Sequence, residues 1–531
     1  MSIDNQSLSV DEGRIVVRNT LWNLMGRMVP IFAAFFLVPY ILNRIGKEAF
    51  GVWTLSFILT NYTGLLDLGF GAGLTKFVAE YLALKDHRKL LEHINTGYIL
   101  YLLFNLLLIL FMWTIIPEVV SFMKISLELR SDSIYVIRGS FIAFLFLNFL
   151  MVNNSILNGT QRMDLTNTIS MVNAVLTVVG TLFVLEIGLG LKGLILNSII
   201  VAICSSLLAL FINFRMIPNF ALSPSYFSIK AFKNLGLYGI KMYVSNIAGM
   251  VVTQFDKILT GYFLSMTYLA FYQVGSRAKD FILSFPMAGV AAVLPTASKL
   301  DTLKQLETLR DLHERVSKYF FAASAPLIIA ILFFGDIMIY LWMGKGFEDS
   351  VIILQVLSIA YLFNLIVTGS GTGIVRGIGK PEELIPYSLL AMVTSIVFGV
   401  LGGLKFGLYG ILGATLCASL FSSCYFYLRL YKLMSWDYLR LIIIWRKGIV
   451  CMILTLIPVS ISAPYLNIIL FNNHRFISVF IFIIYFIILC FLYIIISIIM
   501  RYFDEQDLKI LKVYDYIIKH KMLIRLIERW R

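Results

Sequence analysis

The chain has 531 residues, a mean hydropathy of +0.87 and 14% charged residues. Soluble domains carry about 25% charged residues, so this composition excludes a water-exposed surface on a protein of this size. The formal net charge of +14 does not point to nucleic acid, because the bases fall in short segments between apolar runs.

Apolar runs of roughly 20 residues, enough to cross a bilayer, recur from Leu21 to Met500. They are continuous rather than alternating, which selects helices over a barrel. In chain order the predicted spans are 21–42, 50–68, 94–116, 134–157, 166–185, 193–214, 235–263, 266–297, 319–341, 351–375, 384–404, 406–430, 450–470 and 477–500. The fold class is thus an all-α polytopic membrane protein with about 14 transmembrane helices. Met1 to Glu12 is polar and lacks the basic start of a cleavable signal, so the first run reads as a retained span. The connections are too short to be separate domains.

Lysine and arginine set the orientation. With the N-terminus in the cytoplasm, 30 of the 44 fall in cytoplasmic segments and 8 in outer ones. That split predicts cytoplasmic N- and C-termini and an even number of spans in the cytoplasmic (inner) membrane.

The chain also repeats itself. Asp132-Ser133-Ile134 recurs as Asp349-Ser350-Val351, 217 residues later. Gly190-Leu191-Lys192-Gly193-Leu194 recurs as Gly407-Leu408-Tyr409-Gly410-Ile411 at the same offset. Asn158–Arg162 resembles Arg376–Lys380, and Asp86 matches Asp301. The expected domains are a six-helix lobe over 1–216, a second over 217–432, two further helices over 433–503 and a basic amphipathic tail over 504–531. Internal repeats of this kind place a transporter's substrate site between the halves. The tail reads as a helix lying on anionic lipid.

Nothing marks an enzyme. The Gly373–Lys380 string has the wrong spacing for a phosphate loop and runs into Pro381. Gly69-Phe70-Gly71-Ala72-Gly73 lacks the strand that a dinucleotide site needs. The five histidines do not cluster, and the five cysteines lie in apolar runs without a paired spacing. No cofactor or metal is expected, and energy must come from an ion gradient or downhill flow.

The informative residues are charges inside spans. The bases are Arg27, Arg138, Lys241, Lys257, Arg277 and Lys279, and the acids are Asp67, Asp256 and Asp280. A charge at mid-bilayer costs about 2.5–3.5 kcal/mol on insertion scales, so it should face a cavity or a partner. Arg27 and Lys241 hold matching places in the first helix of each half, and Arg277, Lys279 and Asp280 fall within the eighth span. Arg27, Lys241, Arg277 and Lys279 are the candidate anion-binding cations. Asp67, Asp256 and Asp280 are candidate coupling or ion-pair acids. Asp256 and Lys257 lie near the outer end of their span and are expected to be largely solvated.

The stretch Leu66-Asp67-Leu68-Gly69-Phe70-Gly71-Ala72-Gly73-Leu74-Thr75-Lys76-Phe77-Val78-Ala79-Glu80-Tyr81 resembles a signature of the Wzx-type polysaccharide-transport flippases. These belong to the multidrug/oligosaccharidyl-lipid/polysaccharide exporter superfamily. Phe255-Asp256-Lys257-Ile258-Leu259, Phe271-Tyr272-Gln273-Val274 and Arg376-Gly377-Ile378-Gly379-Lys380-Pro381 are similar to further family patterns. The resemblance, over about residues 15 to 430, implies two six-helix lobes forming a V-shaped exporter around a central cavity. It implies a cargo of undecaprenyl-diphosphate-linked oligosaccharide, as for O-antigen, capsule or lipopolysaccharide assembly. Most close members have twelve spans; fourteen also fits a peptidoglycan lipid-precursor flippase. A cation-coupled multidrug exporter would favour an acidic cavity. A membrane glycan polymerase or ligase would need a large outer loop. Expected partners are the lipid-linked anionic glycan, bilayer lipids and other polysaccharide-assembly membrane proteins, with no nucleic acid.

Overall fold

The computed structural model describes residues 10–64, 70–217, 219–287, 293–504 and 507. Among these, the regular structure is helical and includes no β-strand. The helices are α1 (Val10–Ile45), α2 (Lys47–Gly64), α3 (Phe70–Ala83), α4 (His87–Phe122), α5 (Leu127–Gly159), α6 (Met163–Glu186), α7 (Gly190–Met216) and α8 (Ile229–Phe263). They continue with α9 (Met266–Met287), α10 (Val293–Thr302), α11 (Leu306–Met343), α12 (Glu348–Phe363), α13 (Ser370–Gly377), α14 (Leu384–Met434), α15 (Tyr438–Asn472) and α16 (Arg475–Ile499). Ten helical segments among the described residues are long and apolar enough to cross a membrane.

One of the ten, residues 381–434, holds two of the expected spans. Gly407 breaks α14 with φ +56° and ψ −129°. On either side Gly402 and Gly410 press together: a Cβ on Gly410 would stand 2.0 Å from the Gly402 carbonyl oxygen. Only glycine permits both the left-handed turn and that approach. The expected second span, 50–68, falls on α2 as far as Gly64, with its last residues outside the described ones, and the seventh is α8. The eighth covers two described helices. These are α9, described to Met287, and α10, described from Val293, and residues 288–292 lie outside the described residues.

Short polar caps set several boundaries. Asp86 accepts from the Lys89 backbone N–H at 3.1 Å to start α4, and Asp437 accepts from that of Leu439 at 3.0 Å to start α15. The left-handed residues also recur with the repeat. Gln161 (φ 60°) matches Gly379 (73°), and Gly190 (53°) matches Gly407 (56°). The internal similarity read from the sequence therefore extends to backbone turns.

The contacts divide the chain into two compact units, Met1–Arg277 with Ala391–Ala414, and Ala278–Leu390 with Thr415–Arg531. In the first, α8 packs on α3, with Leu235 fully buried against Gly73. Polar pairs tie its helices together. The Tyr98 hydroxyl donates to Asn153 Oδ1 at 2.6 Å, which also accepts from Asn213 Nδ2 at 2.8 Å, and Asn148 Nδ2 donates to Asn105 Oδ1 at 2.8 Å. In the second unit, α15 and α16 pack on α11, burying Phe334, Ile337, Val459, Ala463 and Leu489. The remaining faces of α16 expose Phe480, Ile484, Ile488 and Phe491. That apolar surface is what lipid contact requires.

Candidate functional site

Four of the seven singled-out charges are described at side-chain level. Arg27 and Lys241 lie on α1 and α8, but their side chains lie outside the described residues, as does Asp67 altogether. The other four divide between the two units.

In the first unit, Arg277 is exposed near the middle of α9 and makes no ion pair with another described residue. Asp256 and Lys257 depart from expectation: they are buried, with 6% and 8% exposure rather than solvated. The reason is local. Tyr272, fully buried on α9, donates its hydroxyl to Asp256 Oδ2, and Asp256 Oδ1 accepts from the Lys257 backbone N–H at 2.8 Å. Lys257 Nζ donates to Gln254 Oε1 at 3.3 Å. Hydrogen bonds of this kind offset the desolvation of a carboxylate taken out of water. The family-like Phe255–Leu259 and Phe271–Val274 patterns thus meet at one contact between α8 and α9. Arg138 is held in a structural contact as well. Its guanidinium lies 4.5 Å from the Trp113 ring centroid and donates to the Trp113 carbonyl oxygen at 2.8 Å.

In the second unit, Lys279 and Asp280 form an adjacent ion pair of 2.8 Å. The Lys279 side chain is 17% exposed and that of Asp280 53%. The Lys279 ammonium also lies 5.3 Å from the Tyr361 ring centroid, on α12. An anion approaching Lys279 therefore competes with Asp280 and meets a cation already held by an aromatic face.

Sequence reading missed the polar network next to Tyr361. Residues Asn364–Gly369 form a π-helical segment between α12 and α13. Asn364 Oδ1 accepts from Tyr387 at 3.3 Å and Ser423 at 3.1 Å, while its Nδ2 donates to Ser419 Oγ at 3.2 Å. One turn on, Ser370 bridges His313 Nδ1 at 2.8 Å and Ser317 Oγ at 3.0 Å. The available signal was an asparagine inside an apolar run, which is costly in lipid unless it is paired. Among the described residues, no group of three or more His, Cys, Asp or Glu side chains could hold a metal ion.

Residues 16–301 match the family described as polysaccharide biosynthesis protein. The chain belongs to that family. A relative in Shigella flexneri, named "Putative O-antigen transporter", is 25% identical over 404 residues, covering 73% of this chain and 93% of its own. An uncharacterized membrane protein of Methanocaldococcus jannaschii is 26% identical over 197 residues, covering 37% of this chain and 39% of its own. The fold is similar to that of the lipid II flippase MurJ in an inward closed conformation. The TM-score is 0.70 at 15% identity, over 91% of this chain and 99% of that one. It is also similar to an inward-facing multidrug resistance MATE family transporter of the MOP superfamily. There the TM-score is 0.69 at 16% identity, over 78% of this chain and 98% of that one. The expected polysaccharide-transport family resemblance and the all-helical fold are both borne out. The Leu66–Tyr81 signature lies within the residues that match the family. Family and fold together make this chain a multi-pass membrane protein of the polysaccharide-biosynthesis family.

Proposed function

We propose that this family member moves an undecaprenyl-diphosphate-linked oligosaccharide from the inner to the outer leaflet of the cytoplasmic membrane. The supporting observation is the alignment with 93% of the length of the Shigella flexneri relative, whose name assigns it O-antigen transport. In this reading Arg27, Lys241, Arg277 and Lys279 hold the diphosphate, because a charge-assisted hydrogen bond is stronger than a neutral one. The lipid tail stays in the bilayer. The acids Asp67, Asp256 and Asp280 are the places to look for coupling. The N- and C-termini face the cytoplasm, and the two lobes are residues 1–216 and 217–432.

The test is flipping by the purified full-length chain in proteoliposomes loaded with an undecaprenyl-diphosphate-linked O-antigen unit or with lipid II. Transport of the first, weakened in Arg27→Ala and Arg277→Ala and less so in the Arg→Lys variants, is the expected result. The diphosphate contact at each is worth roughly 1.5–3 kcal/mol, tenfold or more in affinity. Transport of lipid II alone would replace this reading with a peptidoglycan-precursor flippase. Alanine at all four cations with undiminished flipping would sink the anion-binding mechanism.

A further inference from the structure

The first unit contains a neutral pocket that the cation mechanism does not use. It has a volume of about 350 Å³ and lies between α3 and α5, lined by Gly71, Thr75, Leu150, Met151, Asn154 and Ser155 among others. Small-molecule sites span about 300–1,000 Å³, so the pocket is large enough for a ligand. Among the described residues, no charged side chain lines it.

Its polar wall is rich in acceptors. Thr75 Oγ1 spends its proton on the Gly71 carbonyl at 3.1 Å and the Ser155 carbonyl at 3.2 Å. Ser155 Oγ donates to the Met151 carbonyl at 2.9 Å. What both hydroxyls still offer is lone pairs. Asn154 Oδ1 is buried with no hydrogen-bond partner. A buried orphan acceptor is costly, so a site of this kind rewards a ligand that brings donors. Gly71 keeps the opposite wall back: a Cβ there would stand 3.0 Å from Met151 Cε and 3.3 Å from Ser155 Oγ. Leu147, Leu150 and Met151 supply an apolar side.

We infer that this pocket binds a neutral sugar ring of the transported lipid-linked glycan, with hydroxyl or amide N–H donors on Asn154 Oδ1 and a C–H face on Leu150 and Met151. The inference rests on the proposed cargo and adds a second, sugar-reading subsite to it. In the proposed orientation both helix ends that form it lie toward the cytoplasm, where the sugar first meets the protein.

The test compares binding of undecaprenyl-diphosphate-N-acetylglucosamine with that of undecaprenyl diphosphate by the full-length chain in nanodiscs. Both carry the diphosphate, so their affinity ratio isolates the sugar. Wild type should favour the sugar-bearing lipid by about tenfold, the worth of one or two well-placed hydrogen bonds. Asn154→Leu should bring the ratio to about one while leaving undecaprenyl diphosphate binding unchanged. Gly71→Ala, which narrows the other wall, should lower the ratio independently. A wild-type ratio of one, or a ratio preserved in both variants, overturns the inference. Should wild type discriminate by sugar yet flip neither an O-antigen unit nor lipid II, the pocket stands and the transport reading falls.

Discussion

Asp507 accepts a hydrogen bond from the Tyr319 hydroxyl at 2.6 Å, joining the segment after α16 to the start of the membrane part of α11. The same carboxylate pairs with Lys318 and, at 2.9 Å, with Arg315. Asp504 reinforces the junction, exchanging backbone-to-carboxylate hydrogen bonds with Asp507 at 2.9 and 2.8 Å. Asp507 is fully buried. Breaking a buried pair from one side costs about 3–5 kcal/mol, because the partner charges are left uncompensated. Asp507→Ala should therefore lower the amount of folded protein in the membrane, and Lys318→Ala should do the same. A chain ending just after Asp507 should accumulate normally, whereas one ending at Phe503 should not. Equal accumulation of the two truncations would show that the junction is dispensable.

The junction also fixes a pH dependence. Burial raises the Asp507 pKa, but hydrogen bonds from Lys318 and Tyr319 outweigh it and hold the carboxyl below its ordinary 3.8. A carboxylate depressed in the folded state contributes stability above its unfolded pKa, and that contribution is lost as pH falls through the folded value. Thermal unfolding of the purified chain should show no contribution from Asp507 titration between pH 5 and 8, in the wild type less Asp507→Asn difference. The difference should shrink only below about pH 4. A difference that instead collapses between pH 6 and 7 would mean that another group carries the junction.

Lys279 and Asp280 yield a sharper prediction about cargo. In the proposed mechanism, their 2.8 Å pair would make the diphosphate displace or share Lys279 with its neighbour. Asp280→Asn removes the competitor while leaving Lys279 against Tyr361. The variant should bind undecaprenyl diphosphate more tightly than wild type and release it more slowly, lowering turnover at saturating lipid. Unchanged binding in Asp280→Asn combined with weakened binding in Lys279→Ala would separate the two residues and make the pair incidental.

Much of the helical order was legible because each span is a continuous apolar run closed by a polar cap or a glycine. Asp86 and Asp437 lie in the gaps between apolar runs, and Gly407 lies at the start of the twelfth. The charged residues were visible too, but their partners were not. Arg138 meets Trp113 on the preceding helix, Asp256 meets Tyr272 on the following one, and Asp507 meets Lys318 from 189 residues away. No periodicity encodes such pairings. The solvated Asp256–Lys257 end was misjudged for the same reason: position along a span says how deep a residue lies, not what packs over it. The expected amphipathic tail helix falls mostly on residues 508–531, outside the described residues. Asp504 and Asp507, at its start, are tied to α11 instead.

Asn364 tests whether the π-helical segment is a working part. Such segments occur often at functional positions because they break the regular hydrogen-bond ladder. Here the break is stabilised by side chains: Asn364 holds Tyr387, Ser419 and Ser423, and Thr368 donates back to the Asn364 carbonyl. Interhelical hydrogen bonds in membrane proteins average about 0.6 kcal/mol, so losing three costs roughly 2 kcal/mol. Asn364→Leu should lower stability by about that amount. It should also lower flipping per folded molecule, because α12 and α13 lose the side-chain contacts that hold the irregular segment in one geometry. Asn105→Leu is the control. It breaks a buried asparagine pair with Asn148 inside two regular helices, and should reduce activity only in step with protein level. The measurement is initial flipping rate divided by folded protein in proteoliposomes. If both variants retain the wild-type rate per molecule, the π-helical segment is a packing feature and not a hinge.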